Sequence, residues 1–377
     1  MASLTLDKMA SGGIYDHVGG GFHRYATDSK WLVPHFEKML YDNALLTSAY
    51  LEGYQATGNP EFRRIVCEIL RYIERDMTSP GGAFYSATDA DSMSPEGRME
   101  EGAFFTWTSD EIENLLGKNE AEIVKKYYAL DSTPLFEGRH ILNTPQPILK
   151  QADSLDLTPD KLREIIAKAN DILYDARNFR PRPLRDEKII TSWNGLMISS
   201  FAKAGMELSK PSYIKQAIKA AQFILTHLYT GGRLYRIYND NTAKHNAYLD
   251  DYVFFIASLL DIYEATNEIH WLEKAVVLET TLATYYEDKE NGGFFMTGTD
   301  HEKMIAREKP GWDGALPSGN SIAAENFLRL GKLTADITYS KRSEKIFTSF
   351  SKILSSNPSA LSSMLPAVDL YLDMAAS

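Results

Sequence analysis

The sequence predicts an all-α protein: an (α/α)6 toroid of helical hairpins, with short β-hairpins at its turns. Three observations carry this. Double-glycine turns followed by aromatic residues and a polar end recur as "GGGFHRYATD" from Gly19, "GGAFYSATDAD" from Gly81, "GGRLYRIYND" from Gly231 and "GGFFMTGTD" from Gly292. Paired helical patterns lie between these turns. And 377 residues, long for an ordinary domain, is a length at which a closed ring stays single. The chain is therefore read as one domain, residues 1–377.

The elements follow in order. The opening "LTLDKMASGG" reads as the second half of a helix pair. After the first glycine turn, "VPHFEKMLYDNALL" (Val33 to Leu46) reads as a helix start just after a proline. It leads into the first full pair, "YDNALLTSAYLEGYQATGNPEFRRIVCEILRYIERDM", broken at "TGNP". The less regular middle, from Asp110 to Ala176, supplies another pair and a loop insertion around 130–158. That insertion holds the Pro-punctuated "STPLFEGRHILNTPQPI", which reads as a loop over a cavity. The second pair runs from "WNGLMISS" and breaks at "SKP"; the third runs from "DDYVFFIA" and breaks at "TNE". The fourth begins "GNSIAAENF", and the chain closes on a lone helix, "ALSSMLPAVDLYLDMAA". In each pair the first helix is the more apolar and the second the more charged, which suits an inner helix and a half-solvated outer one. The glycine pairs permit tight turns, and the aromatic runs after them are strands too brief for a sheet core.

The pairs share a register. Phe62, Tyr213, Trp271 and Tyr339 each open a second helix, and 19 or 20 positions earlier stand Asp42, Asn194, Asp251 and Asn320. Asp and Asn cap helices well. Four polar groups at one level would equally form a ring around a cavity mouth.

Composition narrows the function. The chain is 44% hydrophobic and 11% aromatic, enough for a large core. A net charge of −11 without a basic run argues against nucleic acid as partner. No apolar stretch approaches the ~20 residues that cross a bilayer, so no membrane partner is expected. The N-terminus lacks the segments of a signal peptide, and a cytoplasmic location is expected. The single cysteine, Cys67, excludes a disulfide framework and a cysteine zinc site. Neither metal nor cofactor is expected: GxGxxG, Walker A, HExxH and GxSxG patterns are missing.

Four constellations can carry chemistry. The first holds Arg24, Tyr25, Trp31, His35, Glu37 and Asp42. On a helix, His35, Lys38 and Asp42 would share one stripe and Glu37 and Tyr41 another. The second is "SATDADS" with Glu101: Asp89 and Asp91 are spaced to act with Glu101 as acid and base, or to hold a hard cation. The third, "RDEKIITSWNG", offers Arg185, Lys188, Trp193 and Asn194, an aromatic ring beside an amide that suits a sugar. The fourth joins Asp250 and Asp251 with Trp312, Asp313 and Asn320 in a Gly/Pro-dense loop. Each also has a plain reading as a cap, a polar turn or a core filler.

The blocks "GGIYDHVGGGFHRYATDSKWLVPHFEKMLYDNALL", "FYSATDADS…EGAFFTWTSDEI", "RDEKIITSWNGLMI", "AYLDDY" and "PSGNS" resemble the family of spermatogenesis-associated, thioredoxin-domain-containing proteins over nearly the whole chain. The resemblance implies a barrel related to N-acylglucosamine 2-epimerases and six-hairpin glycosidases. In that family a thioredoxin-like domain precedes the barrel; this sequence lacks it, so a thioredoxin-like domain or subunit is an expected partner. The resemblance also implies a small-molecule or oligosaccharide ligand in a polar cavity. Catalysis is then expected from His35, Glu37, Asp89, Asp91, Asp250 and Asp251. Arg24, Tyr25, Trp31, Asp42, Glu101, Arg185, Lys188, Trp193, Asn194, Trp312, Asp313 and Asn320 are expected to bind. A glycosidase needs two carboxylates across a bond. An epimerase needs bases beside a carbonyl, with His35 as the first candidate and His17, His23 or His245 as its partner. No later inner helix carries a histidine in its apolar body, which favours carboxylates, or one histidine with a carboxylate. The alternative is a non-catalytic glycan- or protein-binding module. A cyclase-type toroid would want an apolar cavity with an Asp-rich or zinc site, which this composition does not favour.

Overall fold

The computed structural model describes residues 1–132, 135–302 and 305–376. The chain divides into two compact units, Met1–Met77 with Ser86–Asp186, and Thr78–Tyr85 with Glu187–Ser377. Both are built mainly of helices, with β structure confined to short ladders, as an all-α fold with hairpins at its turns requires.

The first unit begins with α1 (Ala2–Ser11), β1 (Tyr25–Ala26), β2 (Pro34–His35) and β3 (Lys38–Met39). The hairpin of α2 (Leu40–Thr57) and α3 (Pro60–Asp76) follows. Next come β4 (Ala87–Thr88), β5 (Asp91–Met93), β6 (Met99–Glu101), α4 (Ser109–Leu116) and α5 (Lys118–Tyr127). The unit closes with α6 (Ile148–Ser154), α7 (Pro159–Arg177) and β7 (Arg185–Asp186). Helix α3 shows why these segments are helical. Asn59 caps it by accepting from the Glu61 amide at 3.0 Å, and Pro60 fits the first turn. Phe62, Ile65, Val66, Ile69, Leu70 and Ile73 then recur on one buried face. In the middle of the chain Trp107, Ile112, Val124, Tyr128, Leu162 and Leu173 form a core of their own. The predicted insertion contains α6, and its stretch before that helix is tied down by the backbone exchange of Trp107 with His140. Thr133 and Pro134 of that loop lie outside the described residues.

One expected element is corrected. The stretch from Val33 does not start a helix at once: Tyr25 and Ala26 pair with His35 and Pro34, and Lys38 and Met39 pair with Thr88 and Ala87. Helix α2 begins only at Leu40. The proline biases Val33 away from helical backbone, and strands distant in sequence then take up the amides. On extended backbone side chains alternate, so the stripe of His35, Lys38 and Asp42 does not form. Phe36 and Lys38 are buried on one face, while His35 and Glu37 are half-buried on the other.

The second unit runs β8 (Ile189–Ile190), α8 (Thr191–Glu207), α9 (Pro211–His227), β9 (Tyr229–Thr230), β10 (Arg233–Asn239) and β11 (Thr242–Asn246). The pairs α10 (Leu249–Thr266) with α11 (Ile269–Tyr285) and α12 (Gly319–Thr334) with α13 (Ile337–Ser356) follow, then α14 (Leu365–Ala376). Strand β10 pairs antiparallel with β8, β9 and β11, the longest ladder among the described residues. Helices α8 and α10 bury residues on every side, and they approach so closely that a Cβ on Gly195 would lie 2.7 Å from the Phe254 carbonyl carbon.

The four repeats share one device. Asn43 accepts from the Phe22 amide (2.8 Å) and donates to the carbonyls of Phe22 and Met39 (3.0 and 2.9 Å). Asn194 treats Phe84 and Ile190 the same way (2.8, 2.9 and 3.0 Å), and Asn320 treats Phe294 and Pro310 likewise (2.7, 3.0 and 2.9 Å). At the remaining turn the Tyr252 hydroxyl accepts from the Leu234 amide at 3.1 Å. Each latch holds a residue one or two positions after a double glycine against the first helix of a pair. The expected register is thus corrected by one residue in two repeats: a constant 19 positions before Phe62, Tyr213, Trp271 and Tyr339 stand Asn43, Asn194, Tyr252 and Asn320. Two turns carry a second clip. Lys38 Nζ donates to Asp16 Oδ2 and the Gly20 carbonyl, both at 2.8 Å, and Lys309 Nζ donates to Asp288 Oδ2 and the Gly292 carbonyl at 2.6 and 2.7 Å. Glycine is demanded here, since Gly20 and Gly292 have φ of +77° and +76° and a Cβ would meet a carbonyl oxygen at 2.6 and 2.7 Å.

Candidate functional site

In the first unit, β1, β2 and β6 bring chemically capable side chains from three segments together. His35 Nδ1 donates to Glu101 Oε1 at 2.7 Å, and the Phe36 amide donates to the same oxygen at 3.2 Å. Glu101 is thereby held and fixes the imidazole: the neutral ring carries its proton on Nδ1 and leaves Nε2 as acceptor. That Nε2 lies 3.7 Å from Glu37 Oε2, too long for a hydrogen bond. Glu37 is held by Arg24 NH1 at 2.8 Å. The Tyr25 ring stacks on the imidazole, centroids 5.1 Å apart, because Tyr25 and His35 are cross-strand partners.

Asp42, in the first turn of α2, joins this group electrostatically. Burial raises its carboxyl to about 7; Arg24 opposes the rise and Glu37 adds to it. Its Oδ2 is buried without a hydrogen-bond partner. Arg24 also bonds the Tyr41 hydroxyl, one residue earlier on the helix. The cluster therefore sets the imidazole Nε2 toward Glu37, and its charges act on a carboxyl that burial raises to about 7. A base and an acid at working pH are what proton transfer needs.

The other predicted residues of this unit stand apart. Asp91 lies opposite Glu101 in the β5–β6 ladder and is exposed, so it is at the rim of the cluster. Asp89 is exposed and accepts from the Asp91 amide at 3.2 Å, a turn-closing contact. Trp31 uses its backbone: its carbonyl accepts from the Ile14 amide at 3.1 Å, at a positive φ of 62°. Arg185 lies in β7 and reaches the Asp76 carbonyl at 2.8 Å, on the face of the ladder that Lys38 occupies. His17 and His23 are buried with their ring nitrogens on the Gly12 and Phe36 carbonyls, and burial lowers them to about 4 and about 3. They are neutral core histidines and do not assist His35.

In the second unit the expected cavity residues are mostly architectural. Asp251 is fully buried; it accepts from the Ser192 and Tyr248 amides at 2.9 and 2.8 Å and pairs with Arg236 at 3.3 Å. It stitches α10 to the start of α8. Asn194 and Asn320 spend their amides as latches. Asp313 ties two loops, accepting from the Ser318 and Ser363 amides at 2.8 and 2.7 Å. Trp312 is 65% exposed, Lys188 and Trp193 are half-buried, and His245 is exposed in β11. Asp250 keeps chemical capacity: its Oδ1 is buried without a partner, and burial, with Asp251 beside it, raises it to about 7.

Sequence reasoning missed Asn43 and Arg177. The Asp-x-x-x-Gly-Gly spacing shared by Asp16 and Asp288 would have marked the clips. Arg177, which gives both its terminal nitrogens to Asp16 at 2.9 and 3.0 Å, carries no local signal.

No profile of a known protein family matches the chain. Human spermatogenesis-associated protein 20 is 36% identical to it, covering 98% of this chain and 51% of the human protein. An uncharacterised Caenorhabditis elegans protein is 33% identical over 98% of this chain and 54% of its own length. A solved D-mannose isomerase aligns over 92% of this chain and 85% of its own at 14% identity and a TM-score of 0.43. No helix among the described residues is long and apolar enough to cross a membrane. The chain spans about half the length of the curated relatives it matches, and by that similarity it belongs to the family of spermatogenesis-associated protein 20.

Proposed function

We propose that the first unit carries an acid/base site for a small polyhydroxylated substrate, a sugar, and that its chemistry is proton transfer beside a carbonyl. The observation that carries this is the 2.7 Å bond from His35 Nδ1 to Glu101, which leaves Nε2 as a base in the cluster whose charges act on Asp42. In the proposed step His35 Nε2 takes the proton from the carbon next to the carbonyl while a protonated carboxyl, Asp42, donates to the carbonyl oxygen. An enediol results, and return of the two protons gives the epimer or isomer with no net redox change. Glu101 stabilises the imidazolium formed midway. Arg24 holds Glu37, and the Tyr25 ring, 49% exposed, offers a face on which a sugar ring stacks.

The test is a screen of aldoses, ketoses and N-acylated amino sugars for epimerisation, isomerisation and reducing-end release, with the H35Q and E101Q variants alongside. Turnover of one sugar by the native chain is expected, falling at least about a hundredfold in H35Q and less in E101Q. Binding of a sugar without turnover would instead assign a glycan-binding module.

A further inference from the structure

Beside β3 the first unit forms a half-open cavity of about 260 Å³. One wall is a single cross-strand row: Lys38 is the partner of Thr88, and Thr88 of Arg185, across the antiparallel β3–β4–β7 ladder. All three line the cavity, as do Asp16 and Arg177. His35 and Glu37, half-buried where Phe36 and Lys38 are buried, take no part in its lining.

Charge in this wall is unbalanced. Asp16 is 7% exposed and is shared by two buried cations, Lys38 at 2% and Arg177 at 3%. The equivalent clip in the second unit has one cation on Asp288, Lys309, so the arginine is an addition to the repeat and not part of its architecture. One excess positive charge is thus buried. At the cavity's edge Arg182 pairs with Asp76 at 3.2 Å, and Arg185 donates to the Asp76 carbonyl at 2.8 Å. Ring faces soften the cost: Lys38 Nζ lies 4.4 Å from the Tyr72 centroid, and the Arg177 guanidinium 5.0 Å from that of Phe104. Cation–π contacts do not cancel a charge, and a buried unpaired charge is expensive.

The lining also holds an unsatisfied polar atom. Arg177 Nε is buried without a partner, and the buried hydroxyls of Tyr72 and Thr88 have no partner but each other. Buried donors without acceptors in a cationic, aromatic-walled cavity call for an acceptor that is absent from the chain itself.

We infer that the cavity beside the Lys38–Thr88–Arg185 row binds a small organic anion, an acid group on a body no larger than one sugar ring. The acid group answers the excess charge of the Asp16–Lys38–Arg177 cluster, and the body lies against the aromatic walls. A carboxylate and a phosphate share the required chemistry. The inference does not rest on the acid/base reading, because no residue of that site lines the cavity.

Calorimetric titration of the whole chain with glucuronate, glucose 6-phosphate and neutral glucose tests this. At least one of the two acids is expected to bind tenfold or more tightly than glucose, and which of them does so names the acid group. The variant R185Q, an exposed position at the edge, is expected to weaken that acid at least tenfold with its melting temperature kept. H35Q is expected to leave it unchanged. Equal affinity for glucose and both acids, an unchanged affinity in R185Q, or loss of acid binding in H35Q would each overturn the inference.

Discussion

Replacing Asp42 by asparagine should stabilise the protein above neutral pH and change it little in mild acid. In the folded chain the carboxyl sits at about 7, against an ordinary value of 3.8. Between those values the folded state keeps a proton that the unfolded state has released, so the group's contribution is fully present below the unfolded pKa. It is lost as pH rises to the folded pKa, and beyond that it stays level. Each tenfold change in proton affinity is worth about 1.4 kcal/mol, which puts a ceiling of about 4 kcal/mol on the loss. The side chain is only partly shielded from solvent, which reduces the expected loss to about 2 kcal/mol. Asparagine keeps the shape and removes the titration. Urea unfolding of both proteins at about pH 4.5 and about pH 8 isolates the effect, because contributions from other groups cancel in the difference. D42N should gain about 2 kcal/mol relative to the native chain between the two conditions. A difference between the proteins that is the same at both pH values would refute the claim that this carboxyl holds its proton near neutrality.

Further outcomes follow from the same contacts. N194A removes three hydrogen bonds and strands the buried Phe84 amide and carbonyl, so it should cost about 3 kcal/mol, read as a lower urea midpoint at constant slope. G195A forces a methyl group to within 2.7 Å of the Phe254 backbone and should lower stability by about 1–3 kcal/mol, where an uncrowded helical glycine would gain from the change. The D250N variant should repeat the Asp42 behaviour in the second unit, gaining stability relative to the native chain as pH rises to about 7, since burial holds that carboxyl at about 7 as well.

Much of the fold was legible because it is written locally. The helix pairs announce themselves by apolar spacing and by breaks such as "TGNP", and Phe62, Tyr213, Trp271 and Tyr339 each prove to be the third residue of their helix. The glycine turns were legible because glycine takes their left-handed backbone without steric cost. The segment from Val33 to Met39 was not, because its partners Tyr25, Ala26, Ala87 and Thr88 supply the strand pairing that local propensity cannot see. Within the first constellation Arg24 bonds Glu37, Tyr25 stacks on His35 and the charges of Arg24 and Glu37 act on Asp42, while Trp31 stands apart. Glu101 was grouped with Asp89 and Asp91, yet its bond goes to His35 across 66 positions. The Asp16–Arg177 contact spans 161 positions and could not be read from spacing at all. Residues such as Asn194, Asn320 and Asp251 were polar at the right level of their helices for a different reason: they close backbone groups that would otherwise be buried and unpaired.

Whether His35 is a base for protons next to a carbonyl is decided most directly by incubating the chain with aldoses and ketoses in deuterium oxide. Proton NMR then follows the carbon beside the carbonyl. Deuterium is expected at that carbon for at least one sugar with the native chain, and none with H35Q. Exchange that persists in H35Q, or no exchange with any sugar while the native chain is folded, would contradict a catalytic role for this histidine.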